Sequence, residues 1–114
     1  MAEILVINPN SSVSVTQSMD ACLDEVRALS GIVMRCSTLD KGPQGIETDA
    51  HVIEVIPHLL ELILNTPADA YVIGCFSDPG LEPARAATKK PVVGIGEAAY
   101  LAALGLGRRF GIIS

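Results

Sequence analysis

The sequence predicts an α/β protein: an open parallel sheet with helices on both faces. Three observations lead there. Short apolar runs rich in Val and Ile recur along the chain, each too short to be a helix. Between them lie longer segments whose apolar residues return every three or four positions, the period of a helix with one buried face. The joints carry Gly, Pro, Asn and Ser, which end helices and fix turns. Together these give the order β-α-β-α-β-α-β-α-β, with connections suited to right-handed crossovers.

Residues 3–8 form the first strand, a continuous apolar run of the kind covered on both faces. It leads into Asn8-Pro9-Asn10-Ser11-Ser12, whose side chains cap helices and shape turns. A helix follows over residues 13–29, with Val15, Met19, Cys22, Leu23, Val26 and Leu29 on its buried face. This puts Cys22 in the core. Ser30-Gly31 stops the helix. In the second strand, residues 32–38, Ile32, Met34 and Cys36 share one face, while Arg35 and Ser37 take the other. The polar face marks an edge strand, and Cys36 reads as packing. Residues 39–48, with Lys41-Gly42-Pro43 and Gly45, make a loop long enough to fold over a neighbouring crevice.

The helix over residues 49–64 contains Pro57, which should kink or split it. Val52, Ile56, Leu59, Leu60 and Ile63 form its core stripe. His51, Glu54, His58 and Glu61 form a polar stripe at spacings that suit metal ligands. Pro57 interrupts that register and a solvated face explains the same pattern, so no metal site is assigned.

The stretch from Ala70 to Leu81 organises the rest. Its first half, Ala70-Tyr71-Val72-Ile73-Gly74, is a buried central strand, and its second half is a turn and a helix start. Asp78 suits the N-cap of that helix and Pro79 its first turn, so the helix is expected over residues 79–87. Cys75 falls between strand and helix, where free N–H groups and the positive helix end favour a thiolate. Residues 91–95 form the next strand, residues 96–104 a helix closed by Gly105 and Gly107, and residues 109–114 a last strand. Residues 1–107 thus make one α/β lobe in the flavodoxin-like strand order 2-1-3-4. Residues 108–114 add a strand that either joins this sheet or begins a second, similar lobe.

Bulk properties remove several function classes. The chain has 114 residues, enough for one small domain, and 49% of them are hydrophobic. The net charge of −5 leaves no basic patch for a phosphate backbone, and 4% aromatic residues offer few stacking platforms, so nucleic acid is not an expected partner. Neither a secretory leader nor a membrane-length apolar run is visible, so no membrane partner is expected. Three cysteines without ligand-like spacing read as reduced thiols of a cytoplasmic protein. The apolar C-terminal strand, if uncovered, is a sticky edge that points to a homo-oligomer.

In the order 2-1-3-4 the chain reverses direction between strands 1 and 3, and such sheets bind small molecules in the crevice at that point. Asn8 ends strand 1 and Cys75 follows strand 3, so the polar loop and the thiol face each other there. The Ser77 hydroxyl and N–H, with the N–H of Phe76, could form an anion-binding turn beside the thiol. Gly94-Ile95-Gly96-Glu97-Ala98-Ala99 has the form of a dinucleotide fingerprint. Against that reading, Glu97 would crowd a pyrophosphate with a carboxylate, and none of residues 100–114 is an acid able to bind a ribose. The glycines then serve a tight turn and close helix packing. A Cys-His hydrolase would need an imidazole near Cys75, and the only histidines lie on the polar face of the 49–64 helix.

Ile7-Asn8-Pro9-Asn10-Ser11, Gly74-Cys75-Phe76-Ser77-Asp78-Pro79-Gly80-Leu81 and Pro91-Val92-Val93-Gly94-Ile95-Gly96-Glu97-Ala98 together resemble the aspartate/glutamate/hydantoin racemase superfamily. The likeness is greatest to the hydantoin and allantoin racemases, because Phe76-Ser77 stands where amino-acid racemases have Asn-Thr. The resemblance implies cofactor-independent proton transfer at a carbon next to a carbonyl. Two cysteines, one from each of two similar lobes, would face opposite sides of that carbon. It implies that Cys75 is one of them, that Asn8, Asn10 and Ser11 line the substrate cleft, and that Phe76 and Ser77 hold substrate oxygens. Cys22 and Cys36 match no motif of the family, so the second thiol has no counterpart in the chain, and this segment alone is expected to be inactive as a racemase. A non-catalytic module that binds a small anion, or a related decarboxylase or isomerase, are the alternatives.

Overall fold

The computed structural model describes residues 2–113. Four parallel strands form one sheet in the order β2-β1-β3-β4. The strands are β1 (Glu3–Asn8), β2 (Val33–Thr38), β3 (Ala70–Ile73) and β4 (Val92–Gly94). The helices are α1 (Val13–Cys22), α2 (Asp24–Ser30), α3 (Asp49–Asn65), α4 (Leu81–Ala87) and α5 (Ile95–Leu106). The expected order 2-1-3-4 is therefore present, with β2 at an edge as its polar face required.

Register sets the two faces of the sheet. Leu5 lies level with Tyr71, and Tyr71 with Val92; Ile7 lies level with Ile73, and Ile73 with Gly94. These residues face α3 and α4, where Leu59, Ile63, Leu81 and Ala84 complete a sealed core. The other parity, Ile4, Val6, Met34 and Val72, faces α1, α2 and the start of α5. That side is incompletely filled. An open apolar cavity of about 590 Å³ lies there, walled also by Val15, Met19, Cys22, Leu23, Val26 and Ile95.

Several expectations need correction. The 13–29 helix is broken at Leu23 into α1 and α2. Arg27 draws its guanidinium onto the Asp20 carbonyl (2.8 Å) and the Met34 carbonyl (2.9 Å), and the Leu23 N–H turns onto Asp20 O (3.1 Å). The face predicted to be buried is largely open. Cys22 is exposed rather than in the core, and Leu29 is 83% exposed. Pro57 does not split α3. Both Pro57 and Ile53, whose carbonyl it leaves unpaired, lie on the exposed side, where water can serve that carbonyl.

Asp78 and Pro79 do not start α4, whose N-cap is Gly80 at φ 73° and whose first residue is Leu81. Finally, residues 109–113 form no strand among the described residues, so the sheet has four strands and not five. Phe110 stacks instead on Tyr100 at 5.8 Å between ring centroids. Ser114, the end of that predicted strand, lies outside the described residues.

Candidate active site

The site is built where β1 and β3 end side by side. Ile7 pairs with Ile73, so Asn8 lies level with Gly74, and the Gly74 N–H donates to the Ile7 carbonyl at 2.7 Å. A Cβ at Gly74 would displace the end of the Met19 side chain and sit 3.0 Å from the Ile7 carbonyl, so the packing beneath the cysteine is tight. Cys75 is the next residue. It is half-buried, with Sγ 3.3 Å from the Ser77 hydroxyl. The turn closes with the Asp78 N–H donating to the Cys75 carbonyl (3.0 Å). Phe76 and Ser77 are exposed, and their N–H groups donate to no acceptor among the described residues. Two N–H donors thus stand free beside a thiol at the C-terminal edge of a parallel sheet.

Opposite stands the Asn8–Ser12 loop. Asn8 is 1% exposed, and its amide nitrogen contacts Asn10 Oδ1 (2.8 Å), Thr16 Oγ1 (3.0 Å) and the Ser12 carbonyl (3.1 Å). Its Oδ1 accepts from the Asn10 N–H at 3.1 Å. The Asn8 side chain is thus turned inward and holds the loop, while Asn10 and Ser11 are half-exposed. Ser12 caps α1, accepting from the Val15 N–H. The sequence reading did not single out Thr16, a buried residue of α1 bonded at 2.6 Å to Thr38 at the end of β2. Its only signal was its position one turn before Met19 on the side of the helix that meets the sheet.

The 39–48 loop packs onto this polar loop. The Ser11 N–H donates to the Pro43 carbonyl (2.8 Å), and a Cβ at Gly42 would meet the Pro9 carbonyl. Further along, Glu47, Thr48, Asp49 and Val52 share a small cavity with Ser77, so this loop borders the cysteine turn.

The other two thiols lie elsewhere. Cys36 is level with Val6 in mid-strand, half-buried, and burial pushes its thiol up from the ordinary range, with nearby Asp20 adding to the effect. Cys22 ends α1, which runs back from the C-terminal edge of the sheet, and so sits away from the turn. Among the described residues, no group of His, Cys, Asp and Glu is arranged to hold a metal ion; the His51 ring accepts from the Glu47 N–H at 3.1 Å.

The Asp/Glu/hydantoin racemase family model matches residues 4–114. The chain belongs to that family. It is 38% identical over 115 residues to a hydantoin racemase of Paenarthrobacter aurescens, spanning 97% of this chain and 48% of the relative. A hydantoin racemase of Rhizobium meliloti is 39% identical, with 97% and 47% covered. Among solved structures, an allantoin racemase from Klebsiella pneumoniae superposes with a TM-score of 0.82 at 34% identity, over 91% of this chain and 44% of that one. The chain spans about half the length of the relatives it matches.

Proposed function

We propose that this chain supplies one acid–base face of a cofactor-independent racemase acting on a small cyclic ureide of the hydantoin or allantoin type. The observation that carries the proposal is the Cys75 turn: a half-buried thiol at the switch point, beside the free N–H groups of Phe76 and Ser77. Protons on a carbon next to a carbonyl are weakly acidic. A base alone removes them slowly unless the charge that develops on the carbonyl oxygen is stabilised in the transition state. In this reading the Cys75 thiolate takes the proton while the N–H groups of Phe76 and Ser77 receive the enolate oxygen. Asn10 and Ser11 face the substrate, and Asn8 fixes the loop that carries them. The family relationship to hydantoin racemases and the fold shared with an allantoin racemase support the substrate class.

A single thiol reaches one side of the carbon. Inversion needs a second acid on the opposite side, and Cys22 and Cys36 both sit away from the Cys75 turn. The 114-residue chain should therefore exchange the α-proton of one enantiomer of a 5-substituted hydantoin for deuterium, with retention. Mass spectrometry and polarimetry in deuterated water measure exchange and inversion together. Cys75→Ser should reduce exchange by roughly 10²-fold or more, and Cys22→Ser and Cys36→Ser should leave it unchanged. Exchange that survives Cys75→Ser would overturn the assignment.

A further inference from the structure

Asp78 has no part in the proposed chemistry, yet its backbone and its partners are both unusual. It is the one non-glycine residue among those described with positive φ, at 48°. That conformation is costly for most side chains and is tolerated best by Asp and Asn. Its carboxylate does not cap the helix that follows it. Oδ1 accepts from the Gly96 N–H at 2.8 Å and Oδ2 from the Glu97 N–H at 2.7 Å. Those are the second and third residues of α5, a helix whose own N-cap, Gly94, has no side chain to offer. A carboxylate 18 residues upstream thus does the work of the cap, at the end of the helix where negative charge is favoured.

The glycines of the Gly94-Ile95-Gly96 motif follow from this contact. A Cβ on Gly94 would collide with the Asp78 carboxylate. A Cβ on Gly96 would collide with the Phe76 carbonyl and reach Asp78 Oδ2 at 2.9 Å. The motif that has the form of a phosphate-binding turn is occupied by the chain's own carboxylate.

We propose that Asp78 is a positioning residue for Cys75: its carboxylate, docked on the first turn of α5, holds the Cys75–Phe76–Ser77 turn so that thiol and N–H groups face one point. This rests on the acid–base reading of Cys75. Asp78 touches no reacting atom. It acts through the turn, which it closes from both sides, its own N–H on the Cys75 carbonyl and its carboxylate on α5.

The test uses Asp78→Gly, which suits the positive φ and removes both acceptors, and Asp78→Asn, which suits the φ and keeps one. The first readout is alkylation of each cysteine by iodoacetamide at neutral pH, resolved by peptide mass spectrometry. Cys75 should react about threefold more slowly in Asp78→Gly, as its thiolate loses aligned donors. Asp78→Asn should recover much of the rate, and formate, small enough to refill the first turn of α5, should restore Asp78→Gly. Cys22 and Cys36 should keep their rates. In the second readout, α-deuteration of the hydantoin, Asp78→Gly should lower kcat by roughly 10²-fold while KM holds. A Cys75 alkylation rate that is unchanged or faster in Asp78→Gly, or insensitive to both Asn and formate, overturns the proposal, as does full kcat in that variant. If the wild-type chain deuterates no hydantoin, the functional reading fails, and the alkylation series still decides the role of Asp78.

Discussion

Asn8 and Ser11 stand three positions apart in one loop and carry opposite kinds of importance. Every polar atom of the Asn8 side chain is engaged in a buried network that reaches α1 through Thr16 and β2 through Thr38. Removing it strands buried partners, and the penalty for an unsatisfied buried donor or acceptor exceeds the net worth of a typical hydrogen bond. Asn8→Ala should therefore destabilise the fold by about 2 kcal/mol, read as a lower urea midpoint. Ser11 spends only its N–H, on the Pro43 carbonyl, and its half-exposed hydroxyl has no partner among the described residues. Ser11→Ala should move the same midpoint within about 0.5 kcal/mol. Both residues were legible in the sequence as a polar loop at a strand end. What separates the scaffold residue from the presented one is direction, and that is set by Thr16 and Thr38, 8 and 30 positions away in the chain.

At the scale of elements, what could be read from the sequence is what local periodicity controls. β1, β2 and α3 fall within about a residue of expectation because their patterns are strong and their neighbours agree with them. Two of the misses share one cause, a contact made to a different element. α1 and α2 separate because Arg27 is drawn to the Met34 carbonyl of β2. α4 starts late because the carboxylate of Asp78 goes to α5. Arg85 shows the same logic in a charged pair: from α4 it donates to the Val92 carbonyl of β4 (3.1 Å) and grips Glu97 of α5 (2.7 Å). The Arg85 hydrogen bond holds the Glu97 carboxyl below its ordinary range. A carboxyl lowered in the folded state adds stability above its unfolded value, and that stability is lost as the pH falls through the folded one. Glu97→Gln should thus lower Tm slightly at neutral pH and leave it unchanged once both forms of the carboxyl are protonated. Parallel Tm–pH curves for the two proteins across the acid range would contradict this.

At the scale of the whole molecule, the sheet has one finished face and one unfinished. Helices α3 and α4 seal the first. On the second, α1 and the start of α5 stand apart over Ile4, Val6, Met34 and Val72, leaving the apolar cavity of about 590 Å³ open to solvent. Val15 at 39% and Val26 at 44% exposure line it, so residues patterned for a core are wet in this chain on its own. No helix of the described residues is long and apolar enough to cross a membrane. Contiguous apolar surface of this kind drives association, since each residue withdrawn from water contributes in proportion to its area. The 114-residue chain should therefore self-associate through this face. Sedimentation velocity across a hundredfold concentration range should show a mass rising above 11.9 kDa. Val15→Glu with Val26→Glu should shift the distribution toward monomer, and the sealed core on the other face should keep the helical circular dichroism of the chain intact. A monomer at every concentration would overturn the prediction; association that the paired glutamates leave untouched would assign the contact to another surface, and the exposed segment 108–113 with Phe110, Ile112 and Ile113 would be the next to test.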